Sequence, residues 1–368
     1  MAQQAIAAVK VAPGKTELRE LPLPDVPADA GLLKVEAAGV CGSDVPQYGR
    51  GERGPLIQGH ENVGIIAKVG AAAAARWGVQ EGDRVAIEEY LPCLHCEWCH
   101  AGEYRHCFAT DSTNNQAALR YGQTPLTQPP ALWGGFAQYL YLPPNAVLHA
   151  VPHGPPLEQL ALALPLGNGV QWACIEAGAR PGRSVLIMGP GQQGLACAVA
   201  ACAAGADQVL VSGLSRDAFR LKVAKRLGVD AVIDIGAEDL RERVAQLTGG
   251  RGVDAVVDCT SGHSPTVMND ALDVLKRKAG IVVLQGVPSI PDFPLEKLTR
   301  KYGTLKSARG HSYAAVELGL RHIASRRFPL ELMTTDSFGL DGVDRAIRST
   351  GGEVSTASIH ITVNPWRS

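Results

Sequence analysis

The chain has 368 residues, 46% hydrophobic and 19% charged, which is enough apolar material for a large core and long enough for two domains. Its formal net charge of −1 leaves no basic footprint for nucleic acid, so the expected partner is a small molecule. No stretch approaches the roughly 18 to 20 consecutive apolar residues of a membrane span, and the N-terminal MAQQAIAAVKVAPG lacks the basic flank and long apolar core of a signal peptide. The expectation is a cytoplasmic protein.

The N-terminal part, up to about residue 150, is rich in Gly and Pro, with short runs such as GLLKVEAAGV, VGIIAKVG and DRVAIEEYL that read as strands broken by turns. GAAAAARWG at 70–78 reads as a surface turn or short helix, and the polar, Pro-rich segment 108–132 as a long surface loop that could rim a substrate site. From about residue 155 the texture changes. SVLIMG, QVLVSG, AVID, VDAVVDCT and IVVLQGV are strands; GLACAVAACAAG, RDAFRLKVAKRLG and TVMNDALDVLKRKAG between them are helices. After about residue 305 come the helical patterns YAAVELGLRHIASRR and DGVDRAIRST, then a last strand in SIHITVNP. The alternation predicts an α/β fold. A doubly wound parallel sheet over 161–305 is inserted into a β-rich domain made of both chain ends, 1–160 and 306–368.

Directly after SVLIM, the stretch GPGQQG carries Gly189, Gly191, Gln192, Gln193 and Gly194 in the pattern G-x-G-x-x-G, followed by a helix. In that context the glycines permit a tight turn and close approach to a pyrophosphate, which sits on the N–H groups of the helix start. The carboxylate that would hold an adenosine 2′-hydroxyl is absent from the end of the second strand, where Gly213 is followed by Leu214, Ser215 and Arg216. A small residue there makes room for a 2′-phosphate that Ser215 and Arg216 could hydrogen-bond, so the cofactor is read as NAD(P), leaning to NADP.

Nine cysteines cannot all pair, and a cytoplasmic chain keeps them reduced. Cys174, Cys197, Cys202 and Cys259 stand singly among small or apolar residues and read as core thiols. Cys93, Cys96, Cys99 and Cys107 have the spacing C-x-x-C-x-x-C-x7-C, which suits tetrahedral zinc with every position filled by protein. An iron–sulfur cluster uses the same ligands, whereas the βαβ context of a redox pair is missing.

Further motifs carry a resemblance. Cys41 lies in GVCGSD, GHE-x-x-G-x5-G runs from Gly59 to Gly70, and GDRV, the four-cysteine lobe, GGFAQYL, GPGQQG and VVDCTSG follow in order. The chain resembles the zinc-dependent alcohol dehydrogenases of the medium-chain dehydrogenase/reductase superfamily over nearly its whole length. The resemblance implies a GroES-like catalytic domain bearing the lobe at 93–107, and a Rossmann domain. It implies Cys41, His60 and Glu61 as ligands of a catalytic zinc, Ser43 as the hydroxyl that passes on the substrate proton, and Asp44 as a carboxylate orienting a ligand. Two zincs per chain, a homodimer or homotetramer, and hydride transfer between NAD(P)(H) and an alcohol or ketone follow from it.

The chain departs from the pattern twice. Leu164 in ALALPLGNGVQWA stands where the family usually supplies another ligand. Pro46 replaces the histidine through which the proton relay commonly continues, leaving water, the cofactor ribose, His149, His153 or His311 as exits. The first departure motivates an alternative, reduction of an activated C=C or C=N bond with weak or no metal; a non-enzymatic cofactor-binding protein is the remaining one. Tyr48, Trp133 and Leu164 are candidates for a partly apolar pocket, which points to a secondary alcohol or ketone of moderate bulk over a small polyol.

Overall fold

The computed structural model describes residues 3–51, 54–111, 113–262, 264–286 and 289–367. They form two compact units. The first comprises the chain up to Leu164, Ser312–Ala324 and everything from Thr334; the second is Pro165–His311 with Ser325–Met333.

The first unit is β-rich. Gln4–Ala12 and Lys15–Pro22 form an antiparallel hairpin closed through Gly14 at φ +70°. The main sheet runs in the order Thr334–Phe338, His360–Val363, Gly31–Gly39, Glu61–Val69, Arg84–Ile87, Leu148–Ala150, and Tyr139–Leu142 also pairs with Gly31–Gly39. Leu33, Val35, Ile66, Val85, Ile87, Phe136 and Leu140 are all buried in the unit's core, and each such side chain contributes about 1.5–3 kcal/mol of burial. Ala71–Trp77 is a helix ended by left-handed Gly78.

Segment 108–132 departs from the expected surface loop. Its backbone is irregular, yet Tyr121 and Leu132 are fully buried. The Tyr121 hydroxyl donates to the Tyr141 carbonyl at 2.9 Å, and Arg120 Nη2 lies 2.6 Å from Glu89 Oε2. Trp133 is buried beneath the segment between Tyr121 and Tyr141, its indole N–H donating to the Gln128 carbonyl. Lack of periodicity revealed the absence of a regular element, but not that the apolar residues within it join the core.

The second unit holds six parallel strands: Ser184–Met188 (β1), Gln208–Gly213 (β2), Ala231–Asp234 (β3), Ala255–Asp258 (β4), Ile281–Gln285 (β5) and Thr304–Ala308 (β6). Their order across the sheet is β3-β2-β1-β4-β5-β6, so the winding reverses between β1 and β4. The inner strands are near-continuous apolar runs because helices cover the sheet. Those helices start on named caps: the Asp239 carboxylate accepts from Arg241 N and Glu242 N, and Ser264 Oγ accepts from Val267 N. Among the described residues no helix is long and apolar enough to cross a membrane.

One buried charge cluster belongs to the first unit. His149 is enclosed, with Nε2 3.1 Å from Glu88 Oε1, Nδ1 2.6 Å from Glu317 Oε1, and the Tyr313 ring stacked on it at 4.2 Å. Burial opposes the charged imidazole, but the hydrogen bonds that its N–H groups donate to Glu317 and Glu88 outweigh it and raise its pKa from 6.5 to about 9. The imidazolium therefore stabilises the unit fully below pH 6.5, and that contribution is lost as pH rises through about 9. With allowance for the part-exposed Glu317, it amounts to on the order of 2 kcal/mol. His149→Gln is expected to lower the unfolding temperature at pH 6.5 and to narrow the gap to wild type by pH 10. Thermal melts across that range check it, and a pH-independent gap would contradict it.

Candidate functional site

The four-cysteine lobe is folded by its own turns. Leu94 takes φ +65°, Cys96 caps the short helix Glu97–His100, and Gly102 at φ +71° reverses the chain toward Cys107. The four Sγ atoms lie within 4.8 Å of one another, with Cys93–Cys99 at 3.8 Å and Cys96–Cys99 at 3.5 Å, and no disulfide joins them. Tetrahedral zinc with Zn–S near 2.3 Å requires sulfurs about 3.8 Å apart. Two of the thiols are shifted in opposite directions. Cys93 is drawn down to about 6, chiefly by the backbone N–H of His95, while burial pushes Cys99 up to about 12. Four thiolates at this spacing need a dication, and the donor set fits zinc. His95, His100 and His106 are not part of the cluster.

The second cluster is assembled by strand register. Gly31–Gly39 pairs antiparallel with Glu61–Val69, and the pairing ends on Gly39 opposite Glu61. Cys41 follows the end of one strand and His60 precedes the start of the other, so the Cys41, His60 and Glu61 ligand atoms come within 4.8 Å of one another. His60 and Glu61 are buried and Cys41 is half-buried. Asp44, fully buried, accepts from Cys41 N through Oδ2 at 2.9 Å, and its Oδ1 stands 3.5 Å from His60 Nδ1. Neither of these last two atoms has a hydrogen-bond partner among the described residues. Burial, then the Glu61 carboxylate, pushes the Cys41 thiol up. A sulfur, an imidazole and a carboxylate converging in a largely buried setting fit a zinc held by three protein groups with a fourth position open.

Two residues around this cluster escape sequence reasoning. His360 Nδ1 lies 3.9 Å from Glu61 Oε2, and burial depresses His360 to about 3, so the ring is neutral. Gly39 leaves the space that the Glu61 carboxylate fills: a Cβ there would stand 2.4 Å from Glu61 Oε2 and 2.7 Å from His360 Cε1. A glycine in a strand next to a suspected ligand is the signal that could have pointed to it.

Ser43 is exposed and starts the Asp44–Tyr48 helix without using its side chain as a cap. Pro46 lies in that helix, and Leu164 is buried. Tyr48 is buried, its hydroxyl donating to the Gly14 carbonyl. Among the proposed proton exits, His149 is enclosed by its two glutamates, and His311 Nδ1 lies 2.9 Å from Asn168 Oδ1 within the second unit.

In the second unit the glycine loop follows β1. Gly189 turns at φ +96°, and Gly194 packs so closely that a Cβ would stand 1.9 Å from the Gly189 carbonyl oxygen. Gly191 caps the helix Gln192–Ala203, and a Cβ there would meet nothing within 4 Å. Tight turn, open face and close helix packing are the three demands of a pyrophosphate site, so the loop fits a dinucleotide. Gln192 is buried in the first turn and Gln193 follows it. Gly213 ends β2 against this loop, where its Cβ would be 2.8 Å from Pro190 Cγ. Ser215 and Arg216 are exposed in the next turn, and Ser215 Oγ donates to Asp234 Oδ1 at 2.8 Å.

Comparison with known proteins agrees with this arrangement. Residues 27–153 match the alcohol dehydrogenase GroES-like domain and residues 194–325 the zinc-binding dehydrogenase domain. The chain is 36% identical over 354 residues to a probable alcohol dehydrogenase of Mycobacterium tuberculosis, with 94% of each chain covered. The chain belongs to the zinc-dependent alcohol dehydrogenase family. It is also 31% identical over 362 residues to a sorbitol dehydrogenase of Bacillus subtilis, again with 94% of each covered. The solved alcohol dehydrogenase TADH from Thermus sp. ATN1 superposes with a TM-score of 0.81 at 25% identity, covering 98% of this chain and 99% of that one. As a member of the zinc-dependent alcohol dehydrogenase family, the protein is an NAD(P)-linked oxidoreductase acting on alcohols or ketones.

Gly39→Ala is expected to displace Glu61 and strip metal from the Cys41 cluster while the circular dichroism spectrum stays that of wild type. Elemental analysis checks it, and unchanged zinc content would contradict it. Cys99→Ser is expected to lower the unfolding temperature, because one sulfur of the closed lobe is lost; a fully zinc-loaded variant that melts like wild type would contradict the structural role.

Proposed function

We propose that the enzyme interconverts secondary alcohols and ketones of moderate bulk, with two zincs per chain. Cys41, His60 and Glu61 hold the catalytic one; Cys93, Cys96, Cys99 and Cys107 hold the structural one. The observation that carries this reading is the convergence of the first three donors two residues from the uncommitted hydroxyl of Ser43. Four thiolates leave no position for substrate, whereas three donors leave one. Zinc at the open site supplies Lewis acidity, which lowers the pKa of a substrate hydroxyl or polarises a carbonyl.

The chain's own groups do the remaining work. Ser43 Oγ takes the substrate proton and, being exposed, hands it to water; with Pro46 in the helix and His149 enclosed, no histidine relay is needed. Asp44 holds the Cys41 backbone N–H and faces His60 Nδ1, fixing both ligands from one buried carboxylate. Buried Leu164, at the position of the usual extra ligand, keeps the donor count at three and adds apolar surface. That favours a ketone or secondary alcohol over a polyol, the substrate class named for the sorbitol dehydrogenase relative.

Gly189, Gly191, Gln192, Gln193 and Gly194 bind the pyrophosphate, and the preference for NADP rests on small Gly213 and exposed Arg216. Ser215 contributes less than its type suggests, since Asp234 accepts its proton. The cytoplasm suits nine unbridged cysteines, and a homodimer or homotetramer follows the family.

Turnover of a panel of secondary alcohols, polyols and ketones with both cofactors tests the reading. Secondary alcohols are expected to show the highest kcat/KM; a polyol preference would overturn the substrate assignment. Ser43→Ala is expected to lower kcat about 100-fold with zinc content unchanged, and wild-type kcat in that variant would remove Ser43 from the mechanism.

A further inference from the structure

The end of β2 carries no carboxylate, yet the fold delivers one there from the neighbouring strand. Gly213 and Asp234 are register partners at the C-terminal ends of β2 and β3, and Ile235 N donates to the Gly213 carbonyl at 2.9 Å. Asp234 Oδ1 accepts from Ser215 Oγ at 2.8 Å and from Gly236 N at 2.9 Å. Gly236 permits this contact, because a Cβ there would stand 2.3 Å from Ser215 Oγ. The same strand end abuts Pro190 of the glycine loop, where the adenosine ribose of a bound dinucleotide belongs.

The charges around this corner are unevenly paired. Asp217 accepts from Leu214 N at 3.1 Å and pairs with Arg220 at 3.2 Å. Glu238 accepts from Asp234 N and lies 3.5 Å from Arg243 Nε. Among the described residues no lysine or arginine pairs with Asp234, and Arg216 is exposed nearby in sequence to Ser215. A serine hydroxyl has one proton to donate. With that proton given to Asp234, Ser215 offers a ligand only its lone pairs, which suit a ribose 2′-hydroxyl and oppose a 2′-phosphate that has only acceptors and negative charge.

We propose that Asp234 is a specificity-determining residue for the dinucleotide, committing the Ser215 proton and setting its own charge against a 2′-phosphate, in opposition to Arg216. The proposal rests on the dinucleotide reading of the glycine loop. It concerns the change on removing Asp234, and so holds for whichever cofactor the wild type prefers.

The test is binding of NADPH and NADH to the zinc-loaded protein, followed by nicotinamide fluorescence, for wild type, Asp234→Asn, Ser215→Ala and Arg216→Ala. Asp234→Asn is expected to tighten NADPH about tenfold and leave NADH within about threefold. The gain should shrink in 0.5 M salt, since Asp234 is only partly buried and its charge is open to screening. Ser215→Ala leaves the Asp234 charge in place and is expected not to tighten NADPH. Equal shifts for both cofactors in Asp234→Asn, no shift at all, or tightening of NADPH by Ser215→Ala would each overturn the proposal. Arg216→Ala separately tests the NADP preference, since weakened NADPH supports it and unchanged NADPH removes it. A wild type that binds neither dinucleotide would overturn the cofactor reading and this inference with it.

Discussion

The antiparallel register that ends on Gly39 opposite Glu61 is the constraint on which the candidate catalytic site depends. Cys41 and His60 are far apart in the chain and meet only because the two strands stop at the same place. The register is fixed further along by residues that bury Leu33, Val35 and Ile66 in one core, where a one-residue slip would reverse every side chain. At the end of the pairing, the absence of a Cβ on Gly39 gives the Glu61 carboxylate its room. Sheet packing thus sets the position of three donors, and buried Asp44 accepts from the Cys41 backbone N–H and stands 3.5 Å from His60 Nδ1.

The two cysteine-containing clusters solve different problems. The lobe at 93–107 is local: four sulfurs within fifteen residues, brought together by turns at Leu94 and Gly102. It is also tied to the rest of the first unit, since Tyr313 N donates to the Gly102 carbonyl and the Tyr104 ring meets Tyr313 edge-on. Tyr313 in turn stacks on His149, whose charge is compensated by Glu88 and Glu317. The four-cysteine lobe, an aromatic pair and the buried His149 ring therefore form one continuous support. The Cys41 cluster has three donors and an exposed serine beside it, which is the asymmetry a reaction needs.

Much of this was legible in the sequence, for physical reasons. The β1–β5 strands of the second unit are short apolar runs bounded by glycines, and the loop after β1 has a spacing that few other demands produce. Four cysteines at short spacing announce a metal by chemistry alone. What stayed hidden was long-range or polar. Strand β6, TLKSA, lies at the sheet edge without an apolar run, and the helix Leu240–Thr248 carries few apolar residues. The roles of Gly39 and His360 depend on strand pairing, and Asp234 reaches the β2 turn only because β3 lies alongside. Ser215 lies in the turn after β2, and its proton's destination is a tertiary fact.

On the proposed reading, chemistry belongs to the Cys41, His60 and Glu61 cluster, with the four-thiolate lobe closed to substrate. Timed chelation, with zinc content, turnover and unfolding temperature measured on the same samples, tests it most directly. The open site should release its metal first. Turnover is expected to disappear with the loss of one zinc per chain while the unfolding temperature stays near its starting value, and added zinc is expected to restore turnover. Turnover that survives removal of that zinc, or that falls only as the protein unfolds, would contradict that reading.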